Sequence, residues 1–223
     1  DQRLSRGLGD VYKRQVSRLS PSVPGCPQPV IEQYVRDAAI NACEKTLAYR
    51  HVQSKIPLTT GVYDYPYDPP TNTEVHAVLS ASIDGSPMTS LPLESFQDKF
   101  PKWPDFLPAE YGCPKYLSQL DADTFIVTPT PDALKTYEIR MVIAVKPLRS
   151  SIDMDTTTFD ELEDLILHGA LQNLLILPER TWSDRELAAF HAKQYLYKAA
   201  ERRARANLGA ARNTLRVKPV AFG

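Results

Sequence analysis

The chain is poor in the patterns that mark catalysis or metal binding. Only three of its 223 residues are cysteine: Cys26, Cys43 and Cys113. They are widely spaced with no CxxC pair, which speaks against a zinc knuckle or a dithiol redox motif and fits synthesis in a reducing cytoplasm. No GxGxxG, GxxxxGK[ST] or GxSxG motif occurs, so neither a phosphate-cradling loop nor a nucleophile elbow is expected. The four histidines, His51, His76, His168 and His191, show no HxH or HxxxH spacing. Two carboxylate pairs exist, Asp121/Asp123 and Asp153/Asp155, but each sits in a polar, turn-like context. Neither has the third oxygen ligand and glycine of a calcium loop. Cys43 lies among helical apolar residues, and Cys113 has no neighbouring histidine to activate it. No catalytic, cofactor-binding or metal-binding residue is therefore expected. Long apolar runs are missing too, and none approaches the ~20 residues of a membrane span. Lys and Arg number 26 against 27 Asp and Glu, so a preference for a polyanion or an acidic partner has to come from a local patch.

What is present is a change of period along the chain. The N-terminus has no apolar h-region of a secretory signal, and "DVYKRQ", Asp10–Gln15, looks like the translated end of a sequencing-library adapter. Residues 1–15 are expected to be a read artefact or a basic, disordered arm outside the fold. A Pro-rich lead-in follows, and then Ile31, Tyr34, Val35, Ala38, Ala42, Cys43 and Leu47 recur at helical spacing within residues 16–50. Pro29 suits the first turn of that helix, and its alanines permit another helix to approach closely. Residues 51–150 read as a β-rich module of short apolar runs. Asp84-Gly85 closes a hairpin, "YLSQLDADTFIVTP" makes two strands around a turn, and "PLESFQDKF" makes a short helix. The proline-rich segment from Pro101 to Pro114 is expected to be an ordered loop.

Helical period returns over residues 151–209. Thr158 and Glu161 match a capping box, and Leu162, Leu165, Ile166, Gly169, Ala170, Asn173 and Leu174 form a stripe. Pro178 breaks the helix, and Ser183 with Glu186 matches a second capping box that starts a longer helix ending at Leu208. Trp182 is expected to plug this corner. Residues 210–223 form an extended tail in which Leu215 and Val217 alternate with Arg216 and Lys218. The expected class is α+β: one N-terminal and two C-terminal helices in a bundle, interrupted by the β-rich module, with the last helix long.

The one sustained bias is basic: Lys198, Arg202, Arg203, Arg205, Arg212, Arg216 and Lys218 stand against Glu201 alone. Fork-shaped guanidinium donors suit an interface better than a merely solvated face. Arg202, Arg203, Arg205, Arg212, Arg216, Lys218 and Phe222 are the candidate partner-interface residues, and Pro178, Trp182, Ser183 and Glu186 the structural corner. A second reading of the same residues is a nucleic-acid-binding module.

Three stretches taken in order carry a resemblance. "PSVPGCPQPVIEQYVRDAAINACEKTLAYRH", "DYPYDPPTNTEVHAVLSASIDGSPMTSL" and "HGALQNLLILPERTWSDRELAAFHAKQYLYKAAERRARANLG" are similar to the opening, middle and close of tailed-phage head-to-tail adaptor (connector, head-closure) proteins. The resemblance implies a non-enzymatic virion protein, made in the host cytoplasm and located at the head–tail junction. It implies a homo-oligomeric ring, commonly dodecameric in the family, beneath the portal protein. Tail or nozzle proteins are then the other partners, and DNA passes through the channel without specific binding. No membrane and no cofactor are implied. The long helix and tail would dock on the portal.

Overall fold

The structure is a computed structural model and describes residues 9–101, 103, 111–151 and 153–208. Among the described residues five α-helices and two sheets make an α+β fold. In chain order come α1 (Asp10–Leu19), a 3-10 turn (Ser20–Ser22) and α2 (Gln28–Thr46). Then follow β1 (Arg50–Val52), β2 (Ile56–Pro57), β3 (Asp64–Pro66), β4 (Thr73–Ile83), β5 (Ser86–Pro87), β6 (Thr89–Leu91), α3 (Leu93–Lys99), β7 (Tyr116–Gln119), β8 (Thr124–Thr128) and β9 (Glu138–Pro147). The last two elements are α4 (Thr156–Leu175) and α5 (Arg185–Leu208).

Helices α1, α2, α4 and α5 share one apolar core. Pro29 sits in the first turn of α2, where its missing N–H costs no helical bond. Leu47 ends that helix in the left-handed region at φ 54°. α4 buries Phe159, Leu162, Leu165, Ile166, Gly169, Ala170, Leu171, Leu174 and Leu175, while Asn173 is only half-buried. Its cap differs from the expected one. Asp155, not Thr158, is the N-cap, and its carboxylate accepts from Thr158 N–H at 2.8 Å and from Thr158 Oγ1 at 2.8 Å. An ionised acceptor is stronger at a helix N-terminus than a hydroxyl, and Thr158 then falls inside the first turn.

The expectation that residues 1–15 stand outside the fold is corrected for Asp10–Gln15, which belong to α1. Val11, Tyr12, Val16 and Leu19 are buried, and Tyr12 meets Phe159 edge-on with ring centroids 6.0 Å apart. Gln15 donates to the Glu163 carbonyl at 3.2 Å. Arg14 pairs with Asp160, and Arg18 with Glu163 at 2.7 Å. The spacing of Val11, Tyr12, Val16 and Leu19 is that of one helix face, so the sequence held the signal. Residues 1–8 lie outside the described residues.

The strands form two sheets, ordered β1-β9-β4-β5 with β2 also on β9, and β3-β8-β7-β6. β4 and β9 pair antiparallel along their length and are joined to a second apolar core between the sheets. Asp84 at φ 47° and Gly85 at φ 85° turn β4 into β5, the two left-handed positions that a tight hairpin requires. Asp121 caps the β7–β8 turn by accepting from Asp123 N–H, Thr124 N–H and Thr124 Oγ1 at 2.7–2.9 Å. Those donors, the Asp123 amide first, hold its carboxyl below the usual aspartate range. The Pro101–Pro114 loop falls largely outside the described residues.

Tyr49, between α2 and β1, packs on both cores and accepts from Val145 N–H at 2.9 Å. Beside it, Lys146 of β9 pairs with Glu44 of α2 at 2.6 Å and with Glu74 of β4 at 3.2 Å. The Glu44 contact comes first in raising the Lys146 pKa, ahead of the cost of burial. α1 gives the sharpest test of this packing. Replacing Tyr12 by alanine removes a buried aromatic ring and is expected to lower stability by about 3–5 kcal/mol, read as a shift of the urea unfolding midpoint.

Candidate assembly interface

α5 is the element on which most candidate residues fall, and the corner before it sets its direction. α4 ends at Leu175, three residues before Pro178. Asp184 N–H donates to the Leu175 carbonyl at 3.0 Å, so the chain folds straight back. Glu179 takes a left-handed φ of 56° inside the loop. The expected Ser183–Glu186 capping box does not form: Asp184 is the cap, accepting from Leu187 N–H at 2.9 Å. Ser183 is used elsewhere, donating to the Leu177 carbonyl and accepting from Arg180 N–H at 3.3 Å. Glu186 sits in the first turn, where the helix dipole favours its charge. Trp182 is half-buried against the helical core, its indole N–H buried with no hydrogen-bond partner, and Pro178 is exposed.

α5 runs back along α4 and α2. Tyr195 Oη lies 3.3 Å from Asn41 Oδ1, and Lys198 pairs with Asp164 at 3.2 Å. Further along, Arg203 donates to the Lys45 carbonyl at 3.4 Å and Arg50 to Asn207 Oδ1 at 3.4 Å. Of the candidate interface residues, Arg203 and Arg205 are exposed and Arg202 is half-buried, all within two turns. Arg212, Arg216, Lys218 and Phe222 lie outside the described residues.

Two features escaped the sequence. First, His168 of α4 and His191 of α5 face each other with Nδ1 atoms 2.7 Å apart, beside Asp164 and Lys198. This contact needs one ring to donate and the other to accept, so both are neutral or they share one proton. The signal was their equal distance from the corner, since antiparallel helices bring such residues together. Second, the side of α5 turned away from the core carries Phe190 and Tyr197, exposed to 51 and 71%, with Leu187 and Leu196 exposed on its two flanks.

One cleft is lined by compensated charges. It has a volume of about 470 Å³, lies between α2 and the sheet, and holds Asp37, Glu44, Glu74, Lys146 and Arg149. Lys146 pairs there with both glutamates, and Arg149 lies 3.7 Å from Asp37. Among the described residues no cluster of three or more His, Cys, Asp or Glu has metal-binding geometry. Asp155 is spent on its helix cap. No helix among the described residues is long and apolar enough to cross a membrane.

α5 thus presents both cations and apolar side chains outward. The family model described as SU10 adaptor protein matches residues 4–218. The chain belongs to that family of phage head-to-tail adaptors. No curated protein matches it. The adaptor match spans α1 through α5, and so takes in both apolar cores.

The paired histidines of this adaptor carry a pH dependence. Burial holds His168 below the ordinary value of 6.5, with His191 and Lys198 adding to it and Asp164 opposing. Burial lowers His191 likewise. The unfolded chain therefore takes up protons at a higher pH than the folded one. The stability from this pair is fully present above about pH 6.5 and is lost as pH falls through the window beneath. A His168→Leu/His191→Leu variant is expected to flatten that loss, measured by urea unfolding at a series of pH values.

Proposed function

We propose that this adaptor is a structural virion protein that assembles as a ring beneath the portal, lengthens the DNA channel and supports tail attachment. The observation that carries this reading is the match to the adaptor family over nearly the whole chain. In this reading the helices are one bundle, and residues 51–150 are a β-rich module inserted in it. The bundle presents α5 and the tail beyond it to the portal or to a neighbouring copy through Arg202, Arg203, Arg205, Arg212, Arg216, Lys218 and Phe222. The β-rich module faces neighbouring subunits or the tail. The corner at Pro178, Trp182, Ser183 and Glu186 sets the angle of the docking helix.

The physics is consistent with a conduit. A closed ring of identical chains needs two unlike surfaces that meet head to tail. Its bore has to let DNA slide, and many uncompensated cations there would hold the backbone through counterion release. Several cations of α5 are engaged within the chain, Lys198 by Asp164 and Arg203 by a carbonyl. No reaction is proposed for the chain.

Mixing the purified chain with the portal protein of the same phage tests this. Mass photometry or electron microscopy is expected to show several copies on each portal ring. An Arg202→Ala/Arg203→Ala/Arg205→Ala variant is expected to bind at least about tenfold more weakly, the loss of ~1.4 kcal/mol or more. A chain that stays monomeric beside its portal sinks the proposal, and tight, salt-sensitive DNA binding by the monomer would replace it with a nucleic-acid-binding role.

A further inference from the structure

α5 is apolar on two opposite sides. Ala188, Tyr195 and Ala199 enter the helical core. On the far side Phe190 and Tyr197 stand in solvent with Lys193 between them, while Leu187 and Leu196 are exposed on the two opposite flanks. A surface helix of an isolated protein keeps its outer face polar. Here the outward stripe from Phe190 to Tyr197 runs about 10 Å at 1.5 Å per residue. Two aromatic rings within it match the anchors that dominate protein interfaces. Exposed alanines at 189, 200 and 204 let another surface come close.

Charge indicates what covers the stripe. Residues 1–184 carry 25 carboxylates against 17 Lys and Arg, whereas residues 185–223 carry 2 against 9. The chain is thus an acidic body with a basic end, and the near-zero total conceals the split. The body of one copy attracts the end of another, and like ends repel. We infer that the outward face of α5 packs head to tail against the acidic body of a second copy of this chain. DNA fits the stripe poorly, because apolar side chains outnumber its cations. The inference rests on the assembly role proposed above and adds the face and the partner: Phe190, Lys193 and Tyr197 make the contact between copies. Two unlike patches on identical chains repeat around a closed ring without a two-fold axis.

Sedimentation velocity of the full chain at low salt, from micromolar to submillimolar concentration, tests it. Association is expected to grow with concentration and to weaken as salt is raised. Phe190→Ser/Tyr197→Ser is expected to raise the self-association Kd at least about tenfold. Lys193→Glu is expected to weaken it as well, while leaving the apolar stripe intact. All these side chains are exposed, so thermal unfolding should stay at the wild-type midpoint. Carbodiimide crosslinking of mixed ¹⁵N-labelled and unlabelled copies is expected to join Lys193 to carboxylates in residues 1–184 of the other isotope. A chain that is monomeric throughout, or association indifferent to both variants, overturns the inference. If wild type binds the portal while self-association ignores the variants, this contact is overturned and the adaptor role stands. If copies associate through α5 but no portal is bound, the contact stands and the adaptor role falls.

Discussion

Everything the last helix does depends on one missing methyl group. At Gly169 a Cβ would lie 3.0 Å from Tyr195 Cε2 and 3.2 Å from the Ala38 Cβ. The absence of that carbon lets α2, α4 and α5 converge, with the Tyr195 ring filling the space beside it. Lys45 stands over the same ring at 5.1 Å, and the Tyr195 hydroxyl reaches Asn41. Three helices are thus registered at one level. From there α5 continues along α2 until Asn207 meets Arg50 at the start of β1. The cations at Arg202, Arg203 and Arg205 are held near the helix–sheet junction for this reason.

The same registration ties the two cores together. Tyr49 belongs to both, and Lys146 reaches from β9 to carboxylates on α2 and β4. An ammonium between two glutamates satisfies charges that would otherwise repel across the junction, and partial burial makes the contact less subject to salt than an exposed pair.

Much of this was legible in the residues. Pro29, the alanines of α2, the stripe from Leu162 to Leu174 and the Asp84-Gly85 turn each identified an element by a local rule. The misses have physical causes. Both capping boxes fitted their pattern, yet Asp155 and Asp184 took the caps, because a nearby carboxylate outcompetes a hydroxyl for orphan amides. The likeness of "DVYKRQ" to adapter sequence points away from structure, whereas Val11, Tyr12, Val16 and Leu19 have the spacing of a helix face. His168 and His191 share no motif, and only the hairpin geometry brings them together. The outward aromatics of α5 are not separable in the sequence from its inward apolar residues, since large apolar side chains fall on more than one face and do not declare which side meets the core.

That last ambiguity bears on how such a protein should be read. A total charge near zero and a long helix of weak amphipathicity both look uninformative when taken as averages over one chain. They change meaning when the chain is considered among its copies. Charge that cancels within a chain but is separated along it draws unlike ends together and keeps like ends apart, giving direction to an assembly. An outward apolar stripe then supplies short-range attraction that electrostatics cannot, because screening limits the charges to about 8–10 Å at physiological salt. In the inferred contact between copies the two work at different distances: charge orients the approach, and the aromatic side chains of α5 hold what has been oriented.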